Sequence, residues 1–266
     1  LGIEEILEAT HLHSLASSSY DALITRRPFR APHHSSSHVA LIGGGTRLRP
    51  GEISLSHRGV LFLDEMPEFN RPALEALRQP LEDNVITIAR ARQVAVFPAN
   101  FILVATANPC PCGYYGTSKP CQCLPYAILH YQQKISGPIM DRFDLYVESE
   151  EIDHAQLLST ETSKKDDNVA AETVLQARKR QAARYGPTQL NSDLTNKTIR
   201  AAAKLSPAAH ALLNQAAGKL QISARSYMRI IKVARTIADL ESAAAIEPPH
   251  ISEALQYRSQ PSQALP

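Results

Sequence analysis

The chain has 266 residues, of which 44% are hydrophobic and 20% are charged, and its formal net charge at pH 7 is +2. This composition is typical of a soluble globular protein, and no apolar run approaches the roughly 20 residues that a membrane-spanning helix needs. A nearly neutral charge means that any contact with nucleic acid must come from local basic patches. Because the first residues lack the basic start and apolar core of a signal peptide, we expect a cytoplasmic protein with no membrane partner.

The chain begins with a helical pattern of apolar and acidic residues within residues 1–25. Residues 26–34 follow, and the two prolines there prevent a regular helix, so the sequence predicts a loop. This loop carries His33 and His34, which could ligate a metal ion or contact a phosphate group. Adjacent histidines more often have a structural role, and the sequence leaves both interpretations open.

A glycine-rich, basic segment occupies residues 42–51 and contains Arg47 and Arg49. It does not match the phosphate-binding pattern G-x-x-x-x-G-K-[ST]. That pattern is absent from the rest of residues 1–266 as well. A flexible loop of glycines and arginines could line a channel for a polyanion. A simple surface turn is the alternative.

The next segment combines an apolar run with two carboxylates. Residues 60–63 are all apolar and predict a strand that is buried on both faces of a parallel sheet. The run ends in Asp64 and Glu65, at the end of the strand where ligands of open α/β sheets bind. As a Walker B motif, Asp64 would hold the Mg²⁺ of a nucleoside triphosphate and Glu65 would polarise the attacking water. The alternative is a core strand followed by an exposed acidic turn.

A helix and a pair of strands are predicted after this motif. Residues 67–80 have helical spacing, with Asn70 as a plausible N-cap. Residues 85–90 and 93–98 predict a pair of strands joined by a short basic turn.

A second buried strand is predicted over residues 101–108, and it ends in Asn108. In a parallel sheet this asparagine would lie beside the carboxylates of the first strand. It could then position a water molecule for hydrolysis.

All four cysteines of the chain lie close together in the sequence, at Cys110, Cys112, Cys121 and Cys123. A cluster this tight indicates a metal site rather than a disulfide framework spread over the fold. Four thiolates could close a tetrahedral Zn²⁺ site that fixes the loop. Because C-x-C is a less usual metal-binding pattern than C-x-x-C, metal-free thiols or a redox pair remain as alternatives.

Arg142 has acidic neighbours at Asp141 and Asp144. It could form a local salt bridge, which is worth little at a surface. It could instead be presented to the γ-phosphate bound by a neighbouring subunit.

The composition becomes polar after this point, and we divide the chain into residues 1–150, a linker over 151–170 and a helical domain over 171–266. Ser206 and Ser223 are predicted to cap helices of the last part. The longest of these helices carries a basic stripe, formed by Arg225, Arg229, Lys232 and Arg235. Such a stripe is either a solvated face or a contact for phosphates.

These motifs, in this order, resemble the magnesium-chelatase-like AAA+ ATPases, and specifically their ComM/YifB branch, over roughly residues 20–260. The resemblance rests on residues 27–34, 50–57, 59–65, 108–113, 136–138 with 141–142, and 223–225 with 233–240. It implies an α/β fold with a partial P-loop NTPase (AAA+) three-layer core. It also implies a helix-2 insert and a pre-sensor hairpin in that core, and an all-α lid domain after it.

The resemblance further implies a role for particular residues. Asp64 and Glu65 would form Walker B, and Asn108 would be the sensor that positions the lytic water. Arg142 looks like the arginine finger that acts in trans. Arg225 would be the sensor-2 arginine, with Arg229 as its rival.

Two further segments are implied to contact DNA. The glycines at residues 43–45 look like the helix-2 insert, and residues 84–92 look like the pre-sensor hairpin. In related hexamers both project into the central pore and grip DNA. This assigns DNA binding to the arginines within or directly after these segments, namely Arg47, Arg49, Arg90 and Arg92.

The chain departs from the family pattern at its start, because such a protein should begin with a Lon-protease-like domain followed by a Walker A motif. Residues 1–266 contain neither the Lon-protease-like domain nor the Walker A motif, and the first residue is leucine. We therefore expect the C-terminal portion of an ATPase that uses ATP and Mg²⁺, nearly inactive by itself.

The intact protein would be a homo-oligomeric, hexameric ring that acts on single-stranded or branched DNA, as a helicase for branch migration in natural transformation or recombination. The alternatives are the ATPase subunit of a Mg²⁺ or Co²⁺ chelatase and a non-catalytic fragment that binds nucleic acid.

Overall fold

A computed structural model describes residues 1–17, 22–45, 48–90, 93–149 and 163–258. The chain divides into two compact units, of which the first comprises Leu1–Arg142 and the second begins at Phe143. Most of the predicted linker lies outside the described residues. In the part of the chain that the structure describes, no helix is both long enough and apolar enough to cross a membrane.

The first unit combines strands with short helices. Its strands are β1 (Phe29–Arg30), β2 (Gly43–Gly44), β3 (Arg49–Pro50), β4 (Val60–Leu63), β5 (Val85–Arg90), β6 (Gln93–Pro98) and β7 (Ile102–Ala105). Three of these strands form a parallel sheet in the order β1-β4-β7, with β4 in the centre. The unit is therefore a mixed α/β structure built on a parallel sheet.

The central strand β4 is less buried than its sequence predicts. Leu61 and Leu63 are buried, whereas Val60 and Phe62 are only half-buried. The Phe62 ring stacks on Phe29 of β1, with the ring centroids 6.2 Å apart. The prediction of burial on both faces is thus correct for one face alone.

The prediction of a loop over residues 26–34 is wrong at Phe29 and Arg30, which form β1. The backbone N–H of Val60 donates to the carbonyl of Pro28 at 2.8 Å, and this bond starts the parallel pairing. Gly59 permits the approach, because a Cβ atom there would lie 1.9 Å from the Pro28 oxygen. A proline lacks a donor, but its carbonyl can still pair at the start of a strand.

Two antiparallel pairs complete the strands. β2 pairs with β3, and Gly43 has a φ of +104° that L side chains rarely adopt. β5 pairs with β6 from Val85 opposite Pro98 to Arg90 opposite Gln93, which confirms the predicted strand pair.

The helices of the first unit are α1 (Ile3–Ala16), α2 (His38–Ile42), α3 (Glu52–Leu55), α4 (Arg71–Glu75), α5 (Arg78–Asp83), α6 (Pro125–Gln132) and α7 (Gly137–Met140). The Asn70 side chain accepts a hydrogen bond from Ala73 N at 2.9 Å, which confirms the predicted N-cap. The prediction of a single helix over residues 67–80 is wrong, because α4 and α5 are separate helices. Pro80 explains the break, since it has no N–H to donate to Ala76.

The second unit is helical, with α8 (Ser163–Tyr185), α9 (Asn196–Ala202), α10 (Pro207–Lys219), α11 (Ala224–Leu240) and α12 (Pro248–Gln256). Ser206 and Ser223 accept hydrogen bonds from the first turns of α10 and α11, so both predicted caps are confirmed. The core consists of buried apolar residues, chiefly Ile199, Leu213, Ile230, Ala234, Ile237, Ala238, Ile246 and Ile251.

The basic stripe on α11 is not a solvated face along its whole length. Arg235 and Asp239 are both fully buried and lie 3.0 Å apart, and Asp239 also pairs with Arg184 at 2.6 Å. Burial alone would raise the pKa of Asp239. Hydrogen bonds from Arg184 and Asn191, together with the positive charges of Arg235 and Arg184, outweigh burial, so the pKa lies below its usual value. We call Arg184, Asn191, Arg235 and Asp239 the buried charge cluster.

Candidate functional site

The candidate site begins where the strands β4 and β7 end side by side. Leu63 is paired with Ala105 in the parallel register, so Asp64 and Thr106 follow at the same edge of the sheet. The Thr106 N–H donates to the Leu63 carbonyl at 3.1 Å, and the Met66 N–H donates to the Thr106 carbonyl at 2.8 Å. These bonds fix the two chain segments against each other just beyond the strands.

Thr106 contacts both acidic residues of the predicted Walker B motif. Its hydroxyl donates to Asp64 Oδ1 at 2.6 Å and accepts from the Glu65 N–H at 2.9 Å. Sequence reasoning did not identify this residue. The available signal was a hydroxyl directly after the second apolar run, two residues before Asn108.

Glu65 is exposed and has an unusual backbone conformation, with φ and ψ both at 50°. Its Oε2 lies 3.6 Å from Nδ1 of His34. The His34 ring packs against His33, with centroids 4.1 Å apart, and against the edge of Phe69 at 6.4 Å. The histidine pair thus lies beside the acidic pair, a juxtaposition that the sequence alone did not predict.

The chemistry of this edge suits a hard divalent cation. The Asp64 carboxylate is exposed, one of its oxygens accepts the Thr106 hydroxyl, and carboxylate oxygens are ligands that Mg²⁺ prefers. Asn108 is also exposed, two residues beyond Thr106. Among the described residues, Thr106 contacts the Asp64 carboxylate and His34 lies near that of Glu65, and a water-positioning role for Asn108 stays a prediction.

Arg142 is held within the first unit by its own contacts. Its guanidinium forms an ion pair with Glu82 of α5 and donates to the Pro138 carbonyl at 2.5 Å. The side chain is only 10% exposed. The predicted local partners are not the ones observed, since Asp144 pairs with Arg229 of the second unit at 3.1 Å.

The two arginines predicted to act as sensor 2 differ in their surroundings. Arg225 is exposed in the first turn of α11. Arg229 is half-buried and donates to the Phe143 carbonyl at 2.7 Å, besides its pair with Asp144. Exposure favours Arg225 as the group that can reach a ligand, and the assignment of either residue stays a prediction.

The predicted DNA contacts are only partly within the described structure. Arg49 is exposed, and its guanidinium donates to the Ala16 carbonyl at 3.4 Å. Arg90 ends β5 at the tip of the hairpin. The Arg90 side chain lies outside the described part of the chain, as do all of Arg47 and Arg92. These four assignments remain predictions.

The four cysteines form a compact cluster, in which all the sulfur atoms lie within 4.8 Å of one another. The Sγ atoms of Cys110 and Cys112 are 3.4 Å apart, and Cys121 Sγ lies 3.7 Å from the first and 3.6 Å from the second. Zn–S bonds of about 2.3 Å in a tetrahedron would place the sulfurs about 3.8 Å apart. The cluster, completed by Cys123, could therefore hold a metal ion.

The environment of the thiols is uneven. Cys110 is completely buried, and its sulfur accepts the Tyr115 N–H at 3.3 Å. Backbone hydrogen bonds lower the pKa of Cys112 to about 6, whereas desolvation raises the pKa of Cys123 to about 12. All four thiols are free of disulfides.

Comparison with protein families gives two adjoining matches. Residues 1–157 match the family described as "Magnesium chelatase, subunit ChlI", and residues 164–258 match "Magnesium chelatase, subunit ChlI C-terminal". The sheet edge and the cysteine cluster both fall within the first match.

Several curated proteins are similar to the chain. Competence protein ComM of Haemophilus influenzae is 44% identical over 261 residues, which are 95% of this chain and 51% of ComM. The uncharacterized protein YifB of Escherichia coli is 41% identical over 260 residues, 97% of this chain and 51% of YifB. The chain spans about half the length of these curated relatives. The DNA replication licensing factor mcm-6 of Caenorhabditis briggsae is 31% identical over a shorter stretch of 99 residues. This stretch covers 37% of this chain and 11% of mcm-6.

Proposed function

The chain belongs to the magnesium chelatase ChlI family, and from this membership we propose that it is part of an ATP-hydrolysing AAA+ ring motor that binds and remodels DNA. The observation that carries the proposal is the exposed Asp64–Glu65 pair at the carboxyl end of a central parallel strand. That edge is where α/β proteins bind their ligands. The names of ComM and of mcm-6, a competence protein and a DNA replication factor, support DNA as the partner.

In the proposed reaction, Asp64 holds the Mg²⁺ of bound ATP, directly or through water, and Glu65 accepts a proton from the attacking water. When bound, the cation would neutralise the negative charge that develops on the phosphates. Asn108 orients the same water, and Arg225 or its rival Arg229 serves as the sensor-2 arginine.

We assign Arg142 as the arginine finger of a homo-oligomeric ring, a hexamer in its proposed form. Its pair with Glu82 must then open, because the Arg142 side chain is only 10% exposed in that pair and has to extend outward to reach a neighbour's γ-phosphate. Opening of the Arg142–Glu82 pair on contact with the neighbouring subunit would link assembly of the ring to ATP hydrolysis.

The DNA-binding surface in this proposal consists of the β2–β3 pair and the β5–β6 hairpin, with Arg47, Arg49, Arg90 and Arg92 as phosphate contacts. Basic side chains suit single-stranded or branched DNA, because the phosphate backbone is common to both. We place the motor in the cytoplasm, as a helicase for branch migration.

We propose Zn²⁺ as the occupant of the cysteine cluster, with a structural role. The sulfur–sulfur distances approach those of a tetrahedral zinc site, and a closed set of four protein ligands is typical of structural zinc. Residues 1–266 purified without chelator should carry about one zinc per chain, released by mercurial titration. Cys110→Ser should lose that zinc, and a wild-type chain without zinc contradicts the assignment.

A second candidate function is the ATPase subunit of a Mg²⁺ or Co²⁺ chelatase, and the family description itself favours it. Such a subunit would respond to a tetrapyrrole-binding partner rather than to DNA. The measurement that separates the two is ATP hydrolysis by the complete natural protein, with and without single-stranded and branched DNA. Stimulation by DNA supports the motor. Hydrolysis indifferent to DNA favours the chelatase, and no hydrolysis leaves a module that only binds nucleic acid.

Residues 1–266 by themselves should hydrolyse ATP slowly, because they contain no G-x-x-x-x-G-K-[ST] sequence to hold the phosphates. Strong hydrolysis by these residues alone would contradict this part of the proposal.

A further inference from the structure

Thr106 holds the acidic pair at the sheet edge through two different hydrogen bonds of one hydroxyl group. It donates to Asp64 Oδ1 at 2.6 Å and accepts from the Glu65 N–H at 2.9 Å. A hydroxyl has one proton to donate and lone pairs to accept, so both bonds can exist together. One side chain therefore fixes the carboxylate of one acidic residue and the backbone of the next.

The hydroxyl is itself held in place by its backbone. Thr106 N–H donates to Leu63, and the Thr106 carbonyl accepts from Met66, at 3.1 Å and 2.8 Å. These bonds extend the pairing of β4 with β7, so the hydroxyl cannot shift along the edge unless that pairing breaks.

The contact makes the two oxygens of Asp64 different from each other. Oδ1 accepts a short hydrogen bond of the charge-assisted kind, while the other oxygen accepts none from the described residues. An unanchored carboxylate rotates and exchanges its oxygens freely, and the Thr106 hydrogen bond opposes that exchange.

The second bond bears on the conformation of Glu65. Its φ of +50° is uncommon for a residue other than glycine, and such a conformation persists only where the surroundings fix it. The N–H bond to Thr106 is one of the contacts that do so.

We propose that Thr106 is a positioning residue for the proposed Mg²⁺·ATP site: its hydroxyl orients Asp64 so that one oxygen remains for the metal, and it holds Glu65 in its left-handed turn. This inference rests on the proposed function. Partners that orient a metal-ligating carboxylate typically contribute about 10–100-fold to metal affinity or activity. A contribution of that kind distinguishes Thr106 from a residue that serves the fold alone.

The test replaces Thr106 in the complete natural protein. Thr106→Val removes the hydroxyl and keeps the branched shape, whereas Thr106→Ser keeps the hydroxyl. The first readout is binding of Mn²⁺ to the protein with the non-hydrolysable analogue AMP-PNP, measured from the electron paramagnetic resonance signal of free Mn²⁺. The second is the Mg²⁺ concentration that gives half-maximal ATP hydrolysis.

We expect Thr106→Val to weaken Mn²⁺ binding about tenfold and to raise the half-maximal Mg²⁺ concentration by a similar factor. Thr106→Ser should stay close to wild type in both. Thr10→Val is the matched control, because the Thr10 hydroxyl likewise accepts a backbone N–H at 2.9 Å, from Ile24. It should leave both metal measurements unchanged.

Equal Mn²⁺ affinity of Thr106→Val and wild type would overturn the inference, and so would equal losses in the Val and Ser variants. Thr106→Ala provides the same comparison if the valine variant does not fold, as judged by thermal unfolding. Failure of the proposed function is recognised separately. In that case Asp64→Ala and Glu65→Gln would leave ATP hydrolysis unaltered.

Discussion

Two groups of charged side chains in this chain differ in their surroundings. In the buried charge cluster of the second unit, Arg235 and Asp239 are fully enclosed and paired with each other. At the sheet edge of the first unit, Asp64 and Glu65 are exposed and make few contacts. Buried charges must be paired or the fold loses stability, whereas exposed charges remain available for a ligand. The comparison therefore assigns stability to the cluster and chemistry to the edge.

The largest effect on stability should come from the buried charge cluster. Asp239→Ala should lower the free energy of unfolding by about 3–5 kcal/mol, because it leaves Arg235 buried without its carboxylate. Urea denaturation of residues 1–266, followed by circular dichroism, measures this change.

The matched control removes both charges together. Arg235→Met with Asp239→Leu should recover part of the loss, since apolar residues of similar volume can replace a buried ion pair at little cost, while Arg184 still loses its carboxylate partner. A loss below about 1 kcal/mol in Asp239→Ala would show that the cluster is not what stabilises this unit.

The buried charge cluster also predicts that acid lowers the free energy of unfolding, by less than Asp239→Ala does. Because the pKa of Asp239 is lower in the folded chain than its usual 3.8, its contribution to stability is complete above that value. The contribution is lost as the pH falls through the lower folded pKa. Unfolding free energies measured from pH 5 to pH 2 should decline more steeply for wild type than for Asp239→Asn. Parallel curves would contradict this assignment.

A helix cap near the candidate site should have a modest and purely structural effect. Asn70→Ala removes the acceptor for the Ala73 N–H and should lower the unfolding free energy by about 1 kcal/mol. Asn70→Asp, which keeps an acceptor, should cost much less. Equal losses in the two variants would mean that the cap bond is not responsible.

The smallest effect on stability should come from the sheet edge itself. Glu65→Gln changes an exposed side chain that keeps its size, so the unfolding free energy should change by no more than about 0.5 kcal/mol. A loss of several kcal/mol would mean that Glu65 serves the fold, and the comparison between edge and cluster would fail.

Local chemistry explains which elements could be predicted from the sequence. The β5–β6 hairpin was predictable from two apolar runs joined by a short basic turn, and the caps at Ser206 and Ser223 from the residues that follow each of them. The acidic pair after an apolar run also marked the correct edge of the sheet. These signals depend on neighbours in the sequence.

The features that the sequence did not predict depend on distant partners. The Thr106–Asp64 contact joins residues 42 positions apart, and Arg184 reaches Asp239 across 55 positions. Helical periodicity places Arg235 on a basic stripe, but it cannot show that a buried carboxylate meets that residue. The strand β1 was missed because two residues are too few to show alternation.

The measurement that tests the central claim most directly is DNA-stimulated ATP hydrolysis by the complete natural protein, with Glu65→Gln compared against Glu68→Gln. Glu68 is a matched control, because it is an exposed carboxylate three positions away that pairs with Lys134 at 3.3 Å.

We expect Glu65→Gln to lower the rate by about 100-fold or more, as for loss of a general base, and Glu68→Gln to retain it. Equal rates in the two variants would contradict the assignment of chemistry to the sheet edge.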